Sequence, residues 1–109
     1  MNYKIEKDKL TVHEKELIFD YEIKSVLEKD GTLMILLKVP AKFNYQRNIF
    51  GVSAEGEILW QVEAPTKDPV DLYTQITEEN EKVMGGSWSG WNCHLDPKTG
   101  KIVGRDFEK

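Results

Sequence analysis

The stretch from Asn48 to Glu63 most constrains what this chain can fold into. Phe50 and Val52 alternate with Ile49, Gly51 and Ser53, the turn Ala54-Glu55-Gly56 follows, and Ile58, Trp60 and Val62 then alternate with Leu59 and polar neighbours. A period of two sends successive side chains to opposite faces, so the pattern predicts two strands with one buried face. Glycine at the end of the short loop supplies the φ > 0 residue that a tight hairpin needs.

The same period runs through most of the chain. Tyr3, Ile5, Leu10 and Val12 flank the polar reversal Lys7-Asp8-Lys9, a first hairpin. From Leu17 the odd positions read Leu17, Phe19, Tyr21, Ile23, Ser25 and Leu27, while the even ones include Asp20, Glu22, Lys24 and Glu28. That predicts one long half-buried strand; at about 100° per residue the same positions would scatter around a helix. Asp30-Gly31 tolerates the two positive φ angles of a type I′ turn. It leads into Leu33 to Val39, apolar on both faces and predicted to be a central strand covered on both sides, which Pro40 ends.

Ala41 to Arg47 reads as an irregular loop, and the prolines of Ala64 to Pro69, which cannot donate to a ladder, mark a connection. Val70 to Thr77 is a predicted strand, Glu78-Glu79-Asn80-Glu81 an acidic turn, and Lys82-Val83-Met84 a restart toward Gly85-Gly86. Ser87 to Leu95 is a predicted strand. Asp96-Pro97-Lys98-Thr99-Gly100 is a turn with proline preset at its second position and glycine in the left-handed region, and Ile102, Val103 and Phe107 form the closing strand. The expected fold is all-β, one domain over residues 1–109 with about eight or nine antiparallel strands in consecutive hairpins, curled into a sandwich or partly open barrel.

Composition bounds the function. At 109 residues the chain has the size of one domain. A net charge of -4 and a pI near 5.2 argue against nucleic acid, which is held by a clustered excess of lysine and arginine. Cys93 is the single cysteine, so no disulfide forms within the chain, which fits a reducing cytoplasm. The longest apolar run, Leu33 to Leu37, is far below the roughly 18–20 residues of a membrane span, and the first residues carry no apolar leader. The expectation is a soluble cytoplasmic protein with no membrane contact.

Gly56-Glu57-Ile58-Leu59-Trp60 and Gly100-Lys101-Ile102-Val103-Gly104 are alike at an offset of 44 positions, close to the roughly 40–45 residues of a propeller blade. Leu95-Asp96-Pro97-Lys98-Thr99-Gly100-Lys101 resembles the hairpin of quinoprotein-type β-propeller repeats, which ends in a tryptophan that docks between blades. The first copy keeps Trp60 with a loop one residue shorter and no Thr-Gly; the second keeps the turn and has Gly104 in the tryptophan's place. The resemblance implies blade-like hairpins, but a propeller needs about four or more blades. The quinone site of that family carries over to no residue here, and no cofactor is implied. The layout also resembles short uncharacterised bacterial β proteins. An incomplete propeller leaves open sheet edges that a second copy could cover, which predicts a homodimer.

No constellation of catalytic or metal-ligating residues stands out. Cys93 and His94, with His13, lack metal-ligand spacing, and neighbours on one strand point to opposite faces. The same geometry separates them as nucleophile and base, and Cys93 shares the apolar face of Trp91 and Leu95 as a small buried hydrophobe. Trp91 is predicted to be core, whereas Trp88 has the opposite parity unless Gly90 bulges the strand. Packing under a loop is the commoner fate of so large an aromatic; the alternative is a stacking platform formed by Trp88, Asn92 and His94 for a sugar, a base or a protein. Lys42, Phe43, Tyr45 and Arg47 mix basic and aromatic residues as single-strand binders do, but on an acidic chain they read as a solvated loop. Glu78, Glu79 and Glu81 lack the calcium-loop spacing and read as a charged turn.

The expected function is therefore that of a protein-interaction module, for example one neutralising a basic partner. A small-ligand or carbohydrate binder using the Trp88 face comes second. An enzyme comes last, because no general acid and base are placed together.

Overall fold

The computed structural model describes residues 2–40 and 43–107. The described residues form eleven strands: β1 (Tyr3–Glu6), β2 (Lys9–Val12), β3 (Lys15–Ile18), β4 (Ile23–Lys29), β5 (Thr32–Leu37), β6 (Ile49–Ser53), β7 (Ile58–Gln61), β8 (Tyr73–Glu79), β9 (Lys82–Ser87), β10 (Trp91–Leu95) and β11 (Ile102–Phe107). They form three open meander sheets, β1-β2-β3, β4-β5-β6-β7 and β8-β9-β10-β11, and within each sheet strands adjacent in sequence pair antiparallel. The expected all-β class of antiparallel hairpins holds, with eleven strands where eight or nine were expected and with open sheets packed in the sandwich-like way that was one of the two expected arrangements. Among the described residues no helix is long and apolar enough to cross a membrane.

The second sheet is the middle layer, and β5 explains why. All six of its residues are buried, and alternation divides them between two cores. Leu33, Ile35 and Leu37 join Val52, Leu10 and Val12 between the first and second sheets. Met34 and Leu36 join Ile49, Trp60, Val62, Tyr73, Val83, Cys93 and Leu95 between the second and third. The unbroken apolar run that predicted a doubly covered strand is the run both neighbouring layers use.

Buried polar groups register the second and third sheets. Asn48 is fully buried. Its Nδ2 donates to the carbonyls of Leu37 (3.0 Å) and Tyr73 (2.8 Å), and its Oδ1 accepts from the Tyr73 amide (3.0 Å). The amide thus ties β5 to the start of β8 with its hydrogen-bonding capacity largely satisfied. Trp60 lies between the same two sheets, its Nε1 donating to the carbonyl of Pro97 at 2.9 Å. The ring occupies the space that a Cβ on Gly51 or Gly100 would need, 2.2 and 2.3 Å from the nearest ring carbons.

Three expected strands change. The predicted strand from Leu17 to Leu27 is two strands in two sheets. It breaks after Ile18, where Phe19 N donates to Asp8 O and Ile23 N to Lys7 O, both at 2.8 Å, as the chain crosses the first turn to enter the middle layer. The strand expected from Val70 begins at Tyr73 and extends to Glu79, which reduces the acidic turn to Asn80-Glu81 (φ 51° and 64°). The strand expected from Ser87 to Leu95 is interrupted by a turn at Trp88-Ser89-Gly90, with Gly90 at φ 104° and its amide donating to Ser87 O at 3.1 Å.

Candidate functional site

That turn decides the placement of the nominated residues. Trp88 sits on the β9–β10 turn, so strand parity no longer places it, and its side chain is 65% exposed. The expectation that it packs under a loop is corrected: its amide, not its ring, makes the inward contact, donating to Leu72 O at 2.9 Å. Trp91, predicted to be core, packs against the second core while half-buried at its margin. It meets the Phe107 ring edge-on, with centroids 5.0 Å apart and planes at 65°.

A buried carboxylate fixes the turn. Asp71, fully buried, accepts from Ser89 N (3.1 Å) and Ser89 Oγ (2.6 Å), and from Thr66 Oγ1 (2.9 Å). Ser87 Oγ accepts from Trp91 N at 3.2 Å. Burying a charge is costly unless it is hydrogen-bonded, and this one links the β7–β8 connection to the β9–β10 turn. Val70 is exposed on the connection and Trp88 on the turn.

Asn92 and His94 project from the other face of β10. Asn92 pairs with Gly86 just inside the turn, and His94 Nε2 lies 2.8 Å from Asp106 Oδ2. No hydrogen bond or ring contact among the described residues joins Trp88 to either, so the three predicted binding residues divide into an aromatic tip and a polar sheet face. Cys93, between Asn92 and His94, points into the core and is fully buried. Burial pushes its thiol above the ordinary value, and His13 is in the β2–β3 turn of another sheet. Phe43 and Tyr45 pack about Tyr21, at 6.0 and 5.3 Å between ring centroids; Lys42 lies outside the described residues.

Arg47 leaves that loop for a different place. It lines a cleft of about 500 Å³ with Glu63, Lys67 and Arg105, opening beside the exit of β7 and the flank of β11. An adjoining hollow of about 400 Å³ shares Lys67 and Arg105 and is walled by Pro65 and Trp91. The sequence pattern places Arg47 in a solvated loop and marks neither Lys67 nor Arg105, because residues so far apart in the chain meet only through the stacking of sheets. The one available signal was scarcity, since Arg47 and Arg105 are the chain's two arginines.

A family model described as a domain of unknown function, DUF7957, matches residues 1–107. The chain belongs to this family. No curated protein matches it. Among solved structures it is similar to the computationally designed Ika8 protein, with a TM-score of 0.60 and 13% identity over 95% of this chain and 35% of the designed one. The chain thus spans about a third of that protein, and the likeness is one of fold alone.

Proposed function

We propose that this DUF7957 domain is a protein-binding module whose contact surface centres on Trp88. The observation that carries the reading is a tryptophan exposed to water on a turn that the backbone and a buried carboxylate hold in place. Aromatic anchors dominate the energetics of many interfaces, and one already fixed before binding loses little conformational entropy on contact. Val70 on the adjoining connection adds apolar surface to the same end. The net charge of -4 favours encounter with a basic partner, where complementary charge raises the association rate more than the affinity. A single buried cysteine is in keeping with a reducing cytoplasm.

The test is Trp88→Ala. The substitution should change stability by less than about 0.5 kcal/mol and weaken capture of a partner from native lysate by more than about tenfold, equivalent to about 1.4 kcal/mol. Undiminished capture by the variant would remove Trp88 from the interface. Saturable binding of free sugars that Trp88→Ala abolishes, with no partner recovered, would turn the reading to a carbohydrate binder.

A further inference from the structure

We infer that the cleft lined by Arg47, Lys67 and Arg105 binds a small ligand with an anionic head, a carboxylate or a phosphate, and a planar apolar body. Charge distribution is the first ground. The chain is acidic overall, yet both of its arginines and a lysine converge on one concave site against a single carboxylate, Glu63. That carboxylate is partly engaged, its Oε1 accepting from Ile102 N at 2.7 Å. The cleft is therefore positive where the surrounding protein is not.

Pre-organisation is the second ground. Arg47 Nε donates to Val62 O at 2.8 Å and its Nη2 to Gln61 O at 3.2 Å. Arg105 Nε donates to Pro65 O at 3.2 Å. A guanidinium carries five N–H donors in a rigid fork, so each arginine keeps donors beyond these carbonyl bonds, although Arg105 also hydrogen-bonds the Cys93 thiol. Anchoring at Nε holds each plane still, and the donors left over, most of them on Arg47, are the part that engages a carboxylate or phosphate.

The third ground is the wall beside the charges. Arg105 and Lys67 also line the adjoining hollow, where Trp91 and Pro65 offer apolar surface and Phe107 buttresses the indole. A ligand whose head meets the arginines can lay a flat body along Trp91. The volumes of the two hollows lie in the range of about 300–1,000 Å³ usual for small-ligand sites. The overall charge that disfavours nucleic acid does not disfavour a single small anion, which responds to the local field.

Isothermal titration of the intact chain with four probes tests this: adenosine 5′-monophosphate, adenosine, indole-3-acetate and inorganic phosphate. Saturable binding of adenosine 5′-monophosphate or indole-3-acetate is expected, at least about tenfold tighter than adenosine or phosphate alone. Preference for the nucleotide identifies the head as phosphate, and preference for the indole acid as carboxylate. Arg105→Gln should weaken the better probe by at least about tenfold. Because Arg105 also braces Pro65, Lys67→Ala, a change at an exposed residue, serves as the second variant and should weaken the same probe while the melting temperature stays put. Adenosine binding as tightly as its monophosphate, affinity unchanged in both variants, or no saturable binding by any probe would each overturn the inference.

Discussion

The two junctions between sheets use the same device with different residues. At both, the last strand of one sheet crosses a glycine in the last turn of the next. Gly100 (φ 73°) lies under the Trp60 ring, and Gly56 (φ 84°) lies under Lys15, whose Cβ is 2.9 Å from where a glycine Cβ would stand. Trp60 is 8% exposed and hydrogen-bonded to Pro97 O. Lys15 instead reaches Glu57 Oε1 at 2.8 Å through side chains that are 50% and 64% exposed. One junction is sealed by a buried aromatic and the other by a solvated ion pair. The backbone geometry sets where a residue must go, and the residue there sets how much the contact is worth.

The largest effect expected from this contrast is at Trp60. Trp60→Ala should cost about 3–5 kcal/mol, because it empties a core position and leaves the Pro97 carbonyl without its donor. Denaturant melts at constant m-value measure it, and a cost below about 1 kcal/mol would mean the ring is not what joins the second and third sheets.

The second expectation concerns alkaline pH and again separates the junctions. Burial holds the Tyr73 phenol, fully enclosed between the second and third sheets, far above its ordinary value near 10, with Cys93 beside it adding to the shift. The native chain therefore keeps this proton where the unfolded chain has lost it, so stability is full below about pH 10 and falls as pH rises beyond it. The raised Cys93 thiol adds the same trend from about pH 9. Each group contributes at most about 1.4 kcal/mol per pH unit. Tyr73→Phe should flatten the decline above pH 10 in thermal melts. Tyr45, half-buried beside the first core, is raised by burial to a lesser degree, so Tyr45→Phe should flatten it less. Equal slopes in the two variants would contradict the contrast.

The smallest expected effect is at Lys15. An exposed pair contributes about 0–1 kcal/mol and is screened by salt, so Lys15→Ala should fall within that range in low salt and shrink further at about 1 M. A loss comparable to that of Trp60→Ala would show that the lysine stem, not its charge, seals the first junction.

What was legible in the sequence follows the range of the forces involved. The Asn48–Glu63 hairpin, the Asp30-Gly31 turn, the Asp96–Gly100 turn and the doubly covered β5 were readable because period, proline and glycine act within a few residues. The break after Ile18 was not, since alternation continues through Phe19 and Tyr21 while the backbone bonds that redirect the chain reach back to Lys7 and Asp8. The turn at Trp88-Ser89-Gly90 left a Ser-Gly signal, which alternation from Trp91 to Leu95 outweighed. Turns at His13-Glu14 and Asn80-Glu81 hold non-glycine residues at positive φ, where local preference is overridden by the strands on either side. The candidate surfaces were least legible. Trp88 was singled out, but its exposure depends on Asp71, and the Arg47–Arg105 cleft exists only after the sheets have stacked.

The shared strand β5 also determines how this molecule can come apart. Its odd residues belong to one core and its even residues to the other, so detaching either outer sheet uncovers half of the same strand. Opening the first sheet would expose Leu33, Ile35 and Leu37 to water, and opening the third would expose Met34 and Leu36. Either loss strips one face of the same strand, so β5 is the element on which both packings depend.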